Sequence, residues 1–197
     1  MITTKKIDPR PYQQKAAAAI HREWDAGNKK TLVVMPTGTG KTIVFASIVN
    51  DQVAKGEHVL ILAHREELLQ QASDKLKMVT GLETALEKAQ SSALDSDKMV
   101  VVASVQTLSK QNRLMKYPRD YFGTIIIDEA HRGYKPEGSF LSNLFDADPN
   151  SIKIALTGTP LLKSERESWR VFGNYLHTYY YDKSVQDGYT LKIIRED

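Results

Sequence analysis

Residues 31–42 read Thr31-Leu32-Val33-Val34-Met35-Pro36-Thr37-Gly38-Thr39-Gly40-Lys41-Thr42, and this stretch decides the fold. It opens as a short, β-branched, nearly uninterrupted apolar run, the pattern of a strand buried on both faces of a parallel sheet. Gly38 and Gly40 follow. Glycine reaches backbone conformations closed to other residues, so successive N–H groups can turn inward around a phosphate. Residues 42–54 are then helical in pattern and apolar nearly all round. A helix beginning near Lys41 adds its positive N-terminal end, Lys41 is placed to reach the β- and γ-phosphates, and Thr42 offers a hydroxyl to Mg²⁺. Pro36, Thr37 and Thr39 complete the loop. One position departs from the full pattern: Met35 stands where glycine is usual. By average residue usage a Gly-x-Gly-Lys run followed by Ser or Thr arises by accident in about one chain in a hundred of this length. Strand before and helix after make an incidental turn rarer still.

Outward from this loop the same strand pattern returns at residues 59–63, 99–104, 124–127 and 152–156. Ala16, Ala19, Ile20 and Trp24 recur at helical spacing within residues 10–24, and Gly27 marks the stop. Helical patterns also occupy residues 42–54 and 66–78, on either side of the second strand. Alternating strands and helices imply right-handed crossovers and a mostly parallel sheet covered on both faces. The fold class is therefore α/β. Residues 88–98 (KAQSSALDSDK) read as a surface loop or a frayed helix end, and residues 163–170 as a solvated helix. Residues 172–197 are rich in Tyr and end within a strand-like run, 190–194, as if cut from something longer.

Composition removes several classes of chemistry. The 197-residue chain has no Cys, so disulfides, thiolate nucleophiles and Cys-based metal sites are excluded. Its five His are scattered, without a pair at ligand spacing on a helix. Nothing approaches the run of about 18 apolar residues needed to span a bilayer, and residues 1–14 lack a signal-like apolar core. A cytoplasmic location and no membrane partner are expected. The formal net charge of +3 is too small to identify a nucleic-acid binder by itself. Lys110, Arg113, Lys116 and Arg119 form a basic run without an acid until Asp120. That run suits a phosphate contact or a solvated loop equally. Tyr179, Tyr180 and Tyr181 suit base stacking less well than partial burial.

A second constellation follows Ile125-Ile126-Ile127, which lead into Asp128-Glu129-Ala130-His131. A buried parallel strand delivers the residues at its carboxyl end to the crevice where α/β proteins bind ligands. There Asp128 would hold Mg²⁺, directly or through water, and Glu129 would orient or deprotonate the attacking water. The chemistry is then hydrolysis of a γ-phosphoryl group. Residues 120–123 match Asp-x-x-Gly, but no Asn-Lys-x-Asp guanine reader occurs, which removes a GTPase.

These residues resemble superfamily 2 helicases and translocases, whose motor is a pair of RecA-like domains. Arg10-Pro11-Tyr12-Gln13 is similar to the family's adenine-reading segment, with Gln13 suited to a bidentate contact on the base. Residues 35–42 resemble motif I, in which Met before Pro-Thr-Gly is common. Residues 63–68 (AHREEL), 103–108 (ASVQTL), Asp128 to His131, and Thr157-Gly158-Thr159-Pro160 resemble the later motifs, in family order. The resemblance implies ATP and Mg²⁺ as ligands, held by Arg10, Tyr12, Gln13, residues 36–42 and Asp128, with Lys41, Thr42, Asp128 and Glu129 carrying the chemistry. It places His64, Arg65, Ser104, Gln106 and Thr107 at the DNA backbone, and His131, Thr157 and Thr159 between the two sites.

The resemblance covers essentially the whole chain, with residues 1–171 as a first RecA-like motor domain. Residues 172–197 then begin a linker towards a second domain. Residues 157–162 (TGTPLL), Val171, Phe172, Gly173, Tyr175, His177, Tyr179, Asp187 and Gly188 resemble motor subunits of type I restriction enzymes. That implies DNA, a nuclease and specificity subunits as partners. Residues 102–109 (VASVQTLS) instead look closer to bacterial DNA-repair helicases. The alternatives outside this reading are a nucleotide-gated binding module without turnover, and RNA in place of DNA. Arginines from a second domain complete family ATP sites and are worth roughly 10³ to 10⁵ in kcat. A single motor domain is thus expected to hydrolyse ATP slowly.

Overall fold

The computed structural model describes residues 8–36, 38–63, 66–88, 92–110, 113–128, 139–158, 175–178 and 185–188. In chain order these form α1 (Pro11–Asp25), β1 (Lys30–Val34), α2 (Lys41–Ala54), β2 (His58–Ala63), α3 (Glu67–Thr80), β3 (Thr84–Glu87), β4 (Val100–Ser104), α4 (Val105–Leu108), a 3₁₀ turn (Leu114–Lys116), β5 (Phe122–Ile127), α5 (Ser139–Ala147), β6 (Ile152–Thr157) and β7 (Tyr175–Thr178). Among the described residues the strands make one seven-stranded sheet in the order β3-β4-β2-β5-β6-β1-β7. All its pairings are parallel.

The apolar runs form strands because successive side chains enter different cores. Val33, Ile61, Val102, Ile126 and Leu156 face a cluster with Tyr12, Ala16 and Ile20 of α1, Ile48 of α2 and Leu76 of α3. Their neighbours Leu32, Leu60, Val101, Ile125 and Ala155 face the opposite cluster, with Leu108, Leu114, Tyr117, Phe122 and Leu144. Each strand is therefore wrapped on both sides, which is why alternation is absent from the sequence. No helix among the described residues is long and apolar enough to cross a membrane.

The structure adds two strands to the five expected, and both lie at the sheet edges. β3 pairs only with β4 and β7 only with β1. An edge strand has one ladder and less apolar surface to cover, so its composition is freer. β7, Tyr175–Thr178, pairs with β1 and lies within the segment expected to begin a linker. The strand-like run at residues 190–194 and the helical pattern at 163–170 lie outside the described residues.

Candidate nucleotide-binding site

The phosphate loop leaves the sheet tied to its neighbours. Met35 N donates to Thr157 O at 2.9 Å, which keeps the chain beside β6 for one residue past β1. The Pro36 carbonyl then accepts from Thr39 N at 3.3 Å and from Thr39 Oγ1 at 2.7 Å. Gly38 and Gly40 have φ of 86° and 78°, the left-handed region that L side chains avoid. At Gly40 an added Cβ would also stand 2.5 Å from Gln13 Nε2. Gly40 is the N-cap of α2 and provides no side chain to cap it. Ile43 N donates to Gly40 O at 2.9 Å, whereas the N–H groups before it in the helix, of Lys41 and Thr42, have no backbone acceptor among the described residues.

Lys41 Nζ is buried, with no hydrogen-bond partner among the described residues. An ammonium group out of water and without an acceptor is unfavourable, and a phosphate beside it removes the penalty. It lies at a pocket of about 450 Å³ whose lining includes Gly38, Gly40, Lys41, Thr42 and Asp128. Lys41, Thr42 and Asp128 therefore line one cavity, although 86 positions separate Thr42 from Asp128 along the chain. The sheet order explains the meeting. β5 and β1 flank β6, so two strand spacings, roughly 10 Å, separate their ends. Asp128 N donates to Leu62 O at 3.0 Å, which carries the β2–β5 ladder one residue beyond the strand. Thr157 ends β6 between the two and is 5% exposed.

The residues present fit ATP with Mg²⁺. Thr42 and Asp128 supply hard oxygen donors, and Mg²⁺ is commonly held by one or two such protein groups, with phosphate and water completing its shell. Among the described residues no group of three or more His, Asp or Glu gathers to hold a metal. The remaining ligands would come from phosphates and solvent.

The N-terminal segment meets the loop, not the cavity. Tyr12 and Gln13 are buried, and neither lines the pocket. The Tyr12 hydroxyl donates to Thr39 O. Gln13 Nε2 donates to Thr39 O at 2.9 Å and to Gly40 O at 3.4 Å, while its Oε1 accepts from Arg10 N at 2.8 Å. The amide expected to read adenine is thus engaged at both ends within the protein. The Arg10 side chain is exposed at the start of α1.

At the ends of β2 and β4 the structure separates residues that the sequence grouped. Ser104 caps α4: its Oγ accepts from Thr107 N at 3.1 Å and bonds Thr107 Oγ1 at 2.8 Å. Ser104 is 0% and Thr107 4% exposed, and both hydroxyls are engaged in the cap. Both were expected at the DNA backbone; here they form the cap of the short helix. Gln106 is exposed. Thr37, His64, Arg65, Glu129, His131 and Thr159, all expected at the site, lie outside the described residues.

The sequence reading missed two features. Leu68, Ala72, Leu76 and Val79 of α3 also line the pocket, which the helical pattern of residues 66–78 does not announce. The basic run also divides. Arg113 turns inward and pairs with Glu87 Oε1 at 2.7 Å, while Lys110, Lys116 and Arg119 are exposed. Glu87 is 1% exposed, and its Oε2 accepts from Tyr117 OH at 2.8 Å and Ala93 N at 2.6 Å. Burial and the adjacent Glu87 carboxylate raise the Tyr117 phenol well above its ordinary range. Within the 88–98 segment expected at the surface, Ala93 is buried, with its N–H on Glu87.

Comparison with known proteins decides the family. The model of the family described as type III restriction enzyme, res subunit, matches residues 6–162. The chain belongs to that family. Among relatives of this res-subunit family member, the type I restriction enzyme EcoAI endonuclease subunit of Escherichia coli is 29% identical over 197 residues, covering 96% of this chain and 24% of the relative. IRC3 of Saccharomyces cerevisiae, named as a candidate ATP-dependent helicase, is 35% identical over 157 residues, covering 76% of this chain and 22% of its own length. A fragment of a candidate HsdR subunit of a type I restriction enzyme from Vibrio vulnificus YJ016 superposes with a TM-score of 0.70 at 25% identity. It covers 91% of this chain and 32% of that one. The res-subunit domain is therefore a RecA-like superfamily 2 motor domain of the restriction-subunit type, as its motifs implied. The chain spans about a quarter of the length of these curated relatives.

Proposed function

We propose that this domain is the first half of an ATP-driven DNA motor in a restriction-type enzyme, hydrolysing ATP–Mg²⁺ and coupling hydrolysis to movement along duplex DNA. The observation that carries the proposal is the buried, unpartnered amine of Lys41 in the cavity that Thr42 and Asp128 share. In this reading Lys41 neutralises the β- and γ-phosphates, and N–H groups of residues 38–42 hold their oxygens. Thr42 and Asp128 hold Mg²⁺, whose part is to draw charge from the phosphates. Glu129 orients or deprotonates the attacking water, and His131, Thr157 and Thr159 link the nucleotide to the DNA-facing loops. Thr157 is supported in that place by its seat between the Asp128 strand and the phosphate loop.

DNA would lie across the loops at the carboxyl ends of β2 and β4, gripped through its backbone by His64, Arg65, Gln106 and the N–H groups of α4. A second RecA-like domain supplies arginines to the γ-phosphate, and nuclease and specificity subunits complete the enzyme. The restriction relatives support this assignment over a repair helicase, and IRC3 supports the motor itself.

The test is ATP turnover with and without duplex DNA, for this domain alone and joined to its second domain. Slow hydrolysis alone and DNA-stimulated hydrolysis when joined are expected. Full DNA-stimulated turnover by the single domain overturns the half-motor reading, and no heat on titrating ATP–Mg²⁺ overturns the nucleotide site. Glu129→Gln separates a motor from a gated binding module: a motor loses its cellular activity, whereas a module keeps it.

A further inference from the structure

Two side chains in the first turn of α1 hold the phosphate loop from behind. Tyr12 is 5% exposed; its hydroxyl and Gln13 Nε2 both donate to the one carbonyl oxygen of Thr39. That carbonyl and the Gly40 N–H belong to a single trans peptide plane and point in opposite directions. Drawing the carbonyl towards α1 therefore aims the Gly40 N–H away from α1. Gly40 lines the pocket, and its N–H makes no backbone hydrogen bond to another described residue.

The structure assigns Tyr12 as a positioning residue of the phosphate loop: its hydroxyl sets the Thr39–Gly40 peptide so that the Gly40 N–H serves the phosphates, whatever base the nucleotide carries. The inference rests on the nucleotide reading proposed above. Gln13 shares the task, but its amide is also the group suited to a base, and turning it to adenine breaks its bonds to the loop. The phenol's oxygen also accepts from Arg10 Nη1 and Gln13 Nε2, each at 3.4 Å, while its one proton goes to the Thr39 carbonyl. The phenol keeps the loop carbonyl in place when the amide leaves, so the cradle does not depend on whether a base is being read.

Tyr12→Phe retains the ring and removes only the hydroxyl. Dissociation constants for ATP, GTP and inorganic tripolyphosphate, each with Mg²⁺, are measured by calorimetry on the protein and the variant. All three are expected to weaken by the same factor, about three- to tenfold, the loss of one hydrogen bond. The ATP-to-GTP ratio stays unchanged. A loss confined to ATP places Tyr12 at the base and overturns the inference, as does unchanged affinity for all three. Failure of the unsubstituted protein to bind any of them removes the nucleotide reading itself, a result visible before any substitution is compared. A second measurement needs no variant: tripolyphosphate should shift the Gly40 amide resonance downfield. A Gly40 amide that stays put while its neighbours move overturns the proposed aim of the peptide.

Discussion

Arg113 Nη1 stands 2.7 Å from Glu87 Oε1 inside the domain, with Glu87 1% and Arg113 15% exposed, and the pair fastens the turn before β5 to the end of β3. Removing one partner of such a pair leaves a buried charge without compensation, at a cost of about 3–5 kcal/mol. Arg113→Met is expected to destabilise by that amount in urea unfolding. Replacing both residues by apolar ones should recover most of the loss. An Arg113→Met variant as stable as the parent would place the guanidinium in solvent.

Ser104 and Gln106 differ by two positions and by exposure, the first buried and the second open to solvent. Ser104→Ala removes the cap of α4 and should cost about 1 kcal/mol of stability, while leaving DNA affinity in the joined motor within twofold. Gln106→Ala should do the reverse, weakening DNA binding with little change in melting temperature. Filter binding at one fixed salt concentration checks both. A Ser104→Ala variant that folds normally and loses DNA restores the hydroxyl to the interface.

Gly27 and Gly40 share the left-handed backbone, at φ of 87° and 78°, but only Gly40 has a neighbour in the path of a Cβ. Alanine in that region costs about 1–2 kcal/mol at either site. Gly40→Ala must also displace Gln13, so it should cost more than Gly27→Ala and weaken nucleotide binding, which Gly27→Ala leaves alone. Equal effects in thermal melts and calorimetry would mean that the Gln13 amide moves aside freely.

Lys153 sets a pH dependence far from the nucleotide. It is 2% exposed, and its Nζ donates to Asp148 O, Ser151 O and Ser151 Oγ at 2.9–3.0 Å. Burial lowers its ammonium from 10.5 to about 8, with Lys30 and Lys29 adding to the fall and Asp148 and Asp120 opposing it. Between those two values the unfolded chain binds the extra proton, so folding stability rises with pH. Below about 8 both states are protonated and the penalty is constant. The slope from this one group is at most about 1.4 kcal/mol per pH unit. Unfolding curves from pH 7.5 to 10.5 should show the rise in the parent and not in Lys153→Met, so the difference between the two grows with pH. Parallel curves would place the ammonium in contact with water.

Much of the candidate site's geometry was legible along the chain because its parts are local. Gly38 and Gly40 must be glycine for the loop to turn, Lys41 and Thr42 open the next helix, and Asp128 stands where a buried strand ends. The five central strands were legible for a related reason. Burial on both faces demands apolar residues at every position, and a strand such as 59–63 has few other ways to satisfy that. The edges escaped because a strand with one neighbour, such as Thr84–Glu87, needs no such run.

The partners of polar side chains were beyond the sequence, since each depends on what the fold brings within 3 Å. Arg113 looked like its basic neighbours until Glu87, 26 residues earlier, came to meet it. Ser104 and Thr107 carried hydroxyls suited to phosphate, and the short α4 took them as its cap. Tyr12 read as part of a base site, and packing of α1 against α2 turned its hydroxyl to the back of the loop. Local backbone demands are written in residue types; which donor finds which acceptor is decided by sheet order and helix packing.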